Sequence, residues 1–104
     1  MPGERVLLKS GTIDPDVFVW DLKPLMIAYA SGIWPGTKDV LRHTLLMSPG
    51  TIGIVLACQS GAIRPNALPL AEDAVGIRIT TGPYSGRSGW VASNDVHPLQ
   101  PAHK

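Results

Sequence analysis

Residues 75–99 read VGIRITTGPYSGRSGWVASNDVHPL, and this stretch decides the predicted fold. It begins with isoleucines that alternate with polar or small residues, the pattern of a strand with one buried face. A Gly-Pro-Tyr-Ser-Gly segment follows at 82–86, where glycine permits left-handed turn geometry and proline presets one backbone angle. We therefore expect a strand, a tight hairpin, a second strand at 89–92, a single 3₁₀ turn at 93–96 and a last short strand at 96–99.

The composition is that of one small domain built from short elements. Of the 104 residues, 44% are hydrophobic and 16% are charged, and the eleven glycines and ten prolines favour short strands and turns over long helices. The formal net charge is +1 and the basic residues are scattered, so no bulk attraction to nucleic acid or anionic membrane is expected. Cys58 is the only cysteine, lies in an apolar run and is predicted to be a small buried side chain.

The sequence leaves the localisation open. No window reaches the roughly 18 apolar residues of a membrane span, and the first residues lack the apolar core of a signal peptide. A cytoplasmic protein is therefore expected by default, and a periplasmic or secreted one if a leader was removed.

The rest of the chain is predicted to add short strands and one convincing helix. Val40, Leu41 and Leu45 recur at helical spacing, which predicts a helix over residues 38–46. Residues 25–30 are apolar and are ambiguous between a strand and a buried helix at this length. The other predicted elements are strands at 5–9, 17–20 and 51–57 and a loop at 60–70.

The C-terminal stretch also carries a family resemblance. Residues 89–96, Gly-Trp-Val-Ala-Ser-Asn-Asp-Val, resemble the part of SH3 domains that runs through the fourth strand, the 3₁₀ turn and the fifth strand. Residues 82–91, Gly-Pro-Tyr-x-Gly-x-x-Gly-Trp-Val, are similar to the KOW motif and to bacterial SH3 domains in which Gly-Trp-Val closes the barrel. Each of these resemblances implies an SH3-like barrel.

The fold expected from this resemblance is an all-β, SH3-like small barrel of about five strands that forms one domain over residues 1–104. Residues 10–47 take the place of the first loop, are much longer than usual and carry the one short helix. That segment matches no family pattern. Residues 100–104 are expected to be a flexible tail.

Two positions of the motif differ from peptide-binding SH3 domains. The groove of eukaryotic SH3 domains uses a proline before the Ser-Asn pair and a tyrosine after it, and here these positions are Ala92 and Asp95. The tyrosine-rich motif of the first loop has no counterpart either. Polyproline binding in the usual groove is therefore not expected, and recognition is expected to use the long first loop together with the 3₁₀ turn.

The leading functional prediction is a non-catalytic module that binds a protein or peptide. Exposed aromatic side chains in loops over a rigid barrel are typical of a recognition surface; the alternative is that they pack in the core or cover the ends of the barrel. Phe18 and Trp20 are expected to lie on opposite faces of their strand, with one of them in the core. The predicted ligand-binding residues are Trp20, Tyr29, Trp34, Tyr84, Trp90, Ser93, Asn94 and Asp95. The low charge and the apolar residues 25–30 also predict self-association into a homo-oligomer.

Two alternative functions stay open. A KOW-like domain would contact nucleic acid or the ribosome through Arg78 and Arg87, and a bacterial cell-wall-binding SH3 domain would bind glycan or peptide. No enzyme is expected, because the sequence has no nucleophile–base motif and no carboxylate pair of catalytic type. His43, His97 and His103 lack the spacing of metal ligands, so no catalytic residue, metal or cofactor is predicted.

Overall fold

Most of the chain belongs to strands and short helices in the computed structural model, which describes residues 2–10, 16–63 and 72–99. The elements, in chain order, are β1 (Arg5–Leu8), β2 (Val17–Trp20), α1 (Lys23–Ala30), α2 (Thr37–His43), β3 (Thr44–Met47), β4 (Thr51–Ile63), β5 (Glu72–Ile79), β6 (Ser88–Ala92), a 3₁₀ turn (Ser93–Asp95) and β7 (Val96–Pro98). Within these ranges, neither helix is long and apolar enough to cross a membrane.

The seven described strands form one antiparallel sheet in the order β3-β2-β6-β5-β4-β1-β7, which curls into a half-barrel. One side chain in two along each strand points to the concave face, because the strand period is two residues. The inner cluster fills that concave face. It consists of Val6, Leu8, Val17, Val19, Met47, Val55, Val75, Ile77, Ile79 and Val91.

The opposite face of the sheet is covered where α1 lies across it. The outer cluster there consists of Trp20, Met26, Val40, Ile63 and Ala74, with Phe18, Leu25, Ile27, Ala30, Ala62, Trp90 and Ala92 packed against it. Both faces of β2, β5 and β6 are therefore apolar in this region. We call the face that carries the outer cluster the outer face.

The predicted order of elements in residues 75–99 is confirmed. The first strand is β5, the hairpin leads to β6, and a 3₁₀ turn separates β6 from β7. Gly82 and Gly86 have φ angles of 81° and 94°, which side-chain-bearing residues rarely adopt. The backbone N–H of Gly86 donates to the carbonyl of Ile79 at 2.7 Å and closes the hairpin.

The segment 10–47 (hereafter the insert) differs from its prediction, and the sheet has seven strands instead of about five. The predicted helix over 38–46 ends at His43, and β3 follows it and pairs with β2. Leu45 and Met47 pack at the inner cluster while Leu46 is exposed, so pairing with β2 at alternating positions overrides the helical spacing.

The ambiguous residues 25–30 lie in a second helix, α1. Pro24 occupies its first turn, where a missing backbone donor is tolerated. Met26 is buried on the sheet, and Leu25 and Ile27 pack beside it. The fold is therefore mostly β with two short helices, both of which belong to the insert.

Cys58 is exposed, and the prediction of a buried side chain is wrong. Strand β1 pairs with β4 only as far as the pair Arg5–Ile54, so the second half of β4 has β5 as its neighbour without β1 on the other side. The register of β4 against β5 also shifts between Val55 and Ala57, which disturbs the alternation there.

Two predicted segments lie wholly or partly outside the described residues. The loop at 60–70 begins inside β4, which runs to Ile63, and its remainder is not described. The predicted tail at 100–104 is not described either.

Candidate functional site

The insert is held to the rest of the sheet where β2 runs beside β6. Trp20 pairs with Trp90 in register at this crossing. A Cβ atom added to Gly89 would lie 2.6 Å from the backbone oxygen of Trp20 and 2.6 Å from Cγ1 of Val19. Glycine is therefore required here by the close approach of a second strand. This contact fixes the position of β2, and with it the aromatic residues that β2 carries.

Three aromatic side chains of the insert pack on one another at the outer face. Phe18 and Trp20 have ring centroids 6.2 Å apart, and Tyr29 of α1 lies 5.9 Å from Phe18 and 5.3 Å from Trp20. These separations are typical of direct edge-to-face and tilted contacts. We call Phe18, Trp20 and Tyr29 the aromatic wall. Trp34 extends it, with its ring 6.1 Å from Tyr29 and 60% of the residue exposed.

A cavity of about 500 Å³ lies beside the aromatic wall, a volume that suits a peptide side chain or a small ligand. The insert forms one part of its wall. Strands β5 and β6 and the 3₁₀ turn form the rest. It is lined by Ser10, Asp16, Phe18, Trp20, Met26, Tyr29, Ala30, Leu46, Glu72, Ala92, Asn94 and Asp95.

Two carboxylates from outside the insert, Glu72 and Asp95, face this cavity. Glu72 Oε1 is buried and has no hydrogen-bond partner among the described residues. Burial raises the pKa of the Asp95 carboxyl above its ordinary value of 3.8, the negative charge of Glu72 raises it further, and the nearby His97 opposes both. At this cavity the Asp95 carboxylate is therefore partly removed from water.

The structure brings four of the predicted ligand-binding residues together in this cavity. Trp20 and Tyr29 come from the insert, and Asn94 and Asp95 come from the 3₁₀ turn. Trp34 lies next to them through its contact with Tyr29.

The other three predicted residues lie elsewhere. Tyr84 packs against the inner cluster, so it covers an end of the half-barrel. Trp90 packs in the outer cluster, its ring rests on Gly76, and Lys23 Nζ lies 5.0 Å above it. Ser93 Oγ accepts a hydrogen bond from the backbone N–H of Asp73 at 3.0 Å, which holds the 3₁₀ turn to β5.

The two arginines of the nucleic-acid alternative are exposed and lie away from the cavity. Arg78 pairs with Ser88 at one end of the β5–β6 ladder, and Ala74 pairs with Ala92 nearer the cavity. Four residues of strand separate the two ends, about 14 Å. Arg87 belongs to the hairpin at the Arg78 end.

Sequence reasoning predicted Asp95, missed the carboxylates of Glu72 and Asp16, and misjudged one aromatic residue. Phe18 and Trp20 both pack at the outer face, because residues two apart on a strand share a face, and the expectation of opposite faces is wrong. The same alternation places Asp16 at this cavity. Glu72 carried no such signal, because its position depends on the pairing of β5 with β6.

The lining offers aromatic rings, carboxylates and the amide of Asn94, which is chemistry suited to recognition. The described residues contain no group of three His, Cys, Asp or Glu that would hold a metal ion. His43 Nδ1 lies 2.9 Å from Asp21 Oδ1, and His97 Nε2 lies 3.0 Å from the carbonyl of Lys9, so both rings have local partners.

Comparison with known proteins gives no match: no family model, no curated protein and no solved structure is significantly similar to this chain.

Proposed function

We propose that this chain is an SH3-like, non-catalytic interaction module that binds a segment of a partner protein in the cavity beside the aromatic wall. The SH3-like assignment is supported by the strand order β7-β1-β4-β5-β6 and by the 3₁₀ turn between β6 and β7, the place where the sequence resembles SH3 domains. The insert then adds β2 and β3 beside β6.

The observation that carries the proposal is that one cavity joins the insert to the 3₁₀ turn. Trp20, Tyr29, Asn94 and Asp95 are distant in sequence and line the same space. Aromatic rings that combine apolar area with little conformational entropy are the usual anchors of protein interfaces.

Exposed apolar residues around the insert extend the surface on which a partner would rest. Ile33 and Trp34 follow α1, and Leu46 lies on β3 at the edge of the sheet. More than half of each of these residues is exposed. Of these, Leu46 lines the cavity and Trp34 contacts Tyr29 of the aromatic wall, so exposed apolar surface lies beside the proposed binding place.

A displayed library of random peptides, selected on the wild-type protein, tests the proposal. We expect enriched peptides whose binding is lost in Tyr29→Ala, which removes part of the aromatic wall. Leu41→Ala is the matched control, because Leu41 is also an exposed apolar residue on a helix of the insert but does not line the cavity. Peptides that bind both variants equally well, or a library that yields none, would contradict the proposal.

Self-association forms part of the same proposal. The apolar residues 25–30 that predicted it are used largely to cover the outer face, so support for it now comes from the exposed residues Ile33, Trp34 and Leu41. Sedimentation velocity over a range of concentrations tests it. A protein that remains monomeric at its highest soluble concentration has no such self-association.

A KOW-like nucleic-acid contact is the second candidate, supported by the exposed Arg78 and Arg87 near the hairpin. Binding to labelled single-stranded RNA should then weaken steeply as salt rises, and it should be lost in the double variant Arg78→Ala/Arg87→Ala. The cell-wall alternative is tested by binding to purified peptidoglycan. Tyr29→Ala and Leu41→Ala, the two variants of the peptide selection, serve as controls.

A further inference from the structure

We propose that the occupant of the cavity presents a lysine or arginine side chain, whose stem rests on the aromatic wall and whose cationic end lies between Glu72 and Asp95. This inference rests on the proposed function and states which chemical class of partner segment the cavity takes.

The charge of the lining selects a cation. The described residues that line the cavity include three with carboxylates, Glu72, Asp95 and Asp16. None of the described lining residues is Lys, Arg or His. Among the described lining residues an anionic ligand would find no counter-charge, and a neutral ligand would not offset the burial of the Asp95 carboxylate.

Glu72 makes the strongest demand for a partner. Its Oε1 atom is buried and accepts no hydrogen bond from any described residue. Nearly all buried polar atoms in folded proteins have a hydrogen-bond partner, so an orphaned carboxylate oxygen beside an open cavity is unusual. An ammonium or guanidinium group in the cavity would offset the negative charge of this carboxylate and of Asp95, and the planar fork of a guanidinium suits a site between two carboxylates.

The apolar wall distinguishes a basic side chain from an inorganic cation. Phe18, Trp20 and Tyr29 offer ring area, with which a metal ion makes no favourable coordination, whereas the hydrocarbon stem of lysine or arginine packs well on aromatic rings. The described residues also contain no three-ligand group for a metal. The rings attract a cation through their electron-rich faces as well.

The same face of the sheet already holds one cation over a ring. Lys23 Nζ lies 5.0 Å from the centroid of Trp90 and donates to Oε1 of Gln59 at 2.6 Å. This lysine is engaged beside the cavity and does not line it. The outer face therefore already holds one cation, that of Lys23, over an aromatic ring. The aromatic wall offers a second place for a cation over rings, and no described cation fills it.

The test uses four small probes: the N-acetyl amides of arginine, lysine, citrulline and acetyl-lysine. The last two have nearly the shape of the first two and carry no charge. Titrations are followed by two-dimensional ¹⁵N–¹H NMR on the whole chain. We expect the charged probes to shift the amide signals of Trp20, Glu72 and Asp95, and the neutral probes to leave them in place. Shifts that are the same for charged and neutral probes, or no shifts at this cavity, overturn the inference.

Variants then locate the charge requirement. Glu72→Gln and Asp95→Asn each keep the shape of the side chain, and each should weaken the binding of the arginine probe by about tenfold. Asp39→Asn is the matched control, because it removes one negative charge from α2 and does not line the cavity, so binding should be unchanged. A thermal melt of each variant confirms that it is folded. Equal weakening in all three variants would show an effect of net charge and would contradict a site at the cavity.

The peptide selection described above separates this inference from the proposed function. Selected peptides that need Tyr29 but contain no basic residue, and that bind Glu72→Gln as well as the wild type, overturn the inference and leave the interaction module standing. A failed selection together with charge-dependent shifts by the arginine probe contradicts the peptide-binding module and supports the cation site.

Discussion

Two regions of the molecule differ in how completely their apolar side chains are buried. One consists of the five strands β1, β4, β5, β6 and β7, and the other is the insert. The five strands supply most of the inner cluster, and their large apolar side chains are mostly buried. Among the described residues, the insert carries nearly all the large apolar side chains that stay exposed. They are Leu22, Tyr29, Ile33, Trp34, Leu41 and Leu46, with Leu56 of β4 as the exception. A stable scaffold therefore carries a segment whose apolar surface is incompletely covered, which is the arrangement expected when a loop region holds the function.

The largest effect should come from breaking the contact between the two regions at Gly89. Gly89→Ala places a Cβ atom 2.6 Å from the backbone oxygen of Trp20, so β2 must move away from β6. We expect a loss of about 3 kcal/mol in the free energy of unfolding, measured by urea denaturation. Ser88→Ala is the control, since this neighbouring residue is exposed. A Gly89→Ala protein as stable as the control would mean that β2 does not lie against β6.

The packing of α1 should give the next largest effect. Met26 is 2% exposed and lies between the helix and the outer face, so Met26→Ala should cost about 2–3 kcal/mol through the cavity that it leaves. Leu41→Ala on α2 removes a side chain of similar size that is 77% exposed, and it should change stability by less than about 0.5 kcal/mol. The same urea denaturation compares the two, and similar losses in both variants would disagree with the covered outer face.

Neutralising the cavity should stabilise the free protein. Burial and the charge of Glu72 raise the pKa of Asp95, so the folded state holds this proton more tightly than the unfolded state does. The stability that this carboxyl contributes is complete below its unfolded value of about 3.8 and is lost as the pH rises through the raised value. At neutral pH the charged carboxylate therefore destabilises the fold, and Asp95→Asn should raise the free energy of unfolding by less than about 0.5 kcal/mol, because solvent screens this partly exposed group.

Thermal melts at two pH values check the sign of that effect. The advantage of Asp95→Asn over the wild type should be present at pH 7 and should shrink as the pH falls toward 3.8, where the wild-type carboxyl becomes protonated. An advantage that grows on acidification would mean that the charged Asp95 stabilises the fold. A residue at a cavity that lowers the stability of the fold is typical of a binding site.

The smallest effect concerns the exposed half of β4. Cys58→Ser should leave stability within about 0.5 kcal/mol of the wild type, because the side chain is exposed. A thiol reagent should label Cys58 in the folded protein nearly as fast as in urea. If the reagent labels Cys58 only when the protein is unfolded, the side chain is buried as the sequence predicted. The register shift of β4 would then not expose it.

The sequence predicted the C-terminal strands well and the insert poorly, and the reason is physical. Residues 75–99 combine alternating apolar residues with glycines at positive φ, and both signals are local. Residues 44–47 form β3 through pairing with β2, a contact that no local pattern contains. The helical spacing of Val40, Leu41 and Leu45 therefore predicts a helix that extends about one turn beyond its observed end at His43.

The candidate site was predictable in part for the same reason. Tyr29 and Asn94 could be proposed as binding residues because they are an aromatic residue in an apolar segment and a polar residue in a turn. Tyr84 lies in a hairpin between a proline and a serine, which also predicts an exposed ring, yet it packs against the inner cluster. Glu72 could not be found from sequence, because its place at the cavity follows from the register in which Ala74 pairs with Ala92. Which residues meet depends on sheet pairing, which single positions do not reveal.

The central claim is that binding takes place where the insert meets the 3₁₀ turn. The most direct measurement is a two-dimensional ¹⁵N–¹H NMR titration of the wild-type chain with its best selected peptide. We expect the largest shifts to cluster at Trp20, Tyr29, Asn94 and Asp95, which line one cavity. A cluster of shifts around Arg78, at the far end of the β5–β6 ladder, would contradict it.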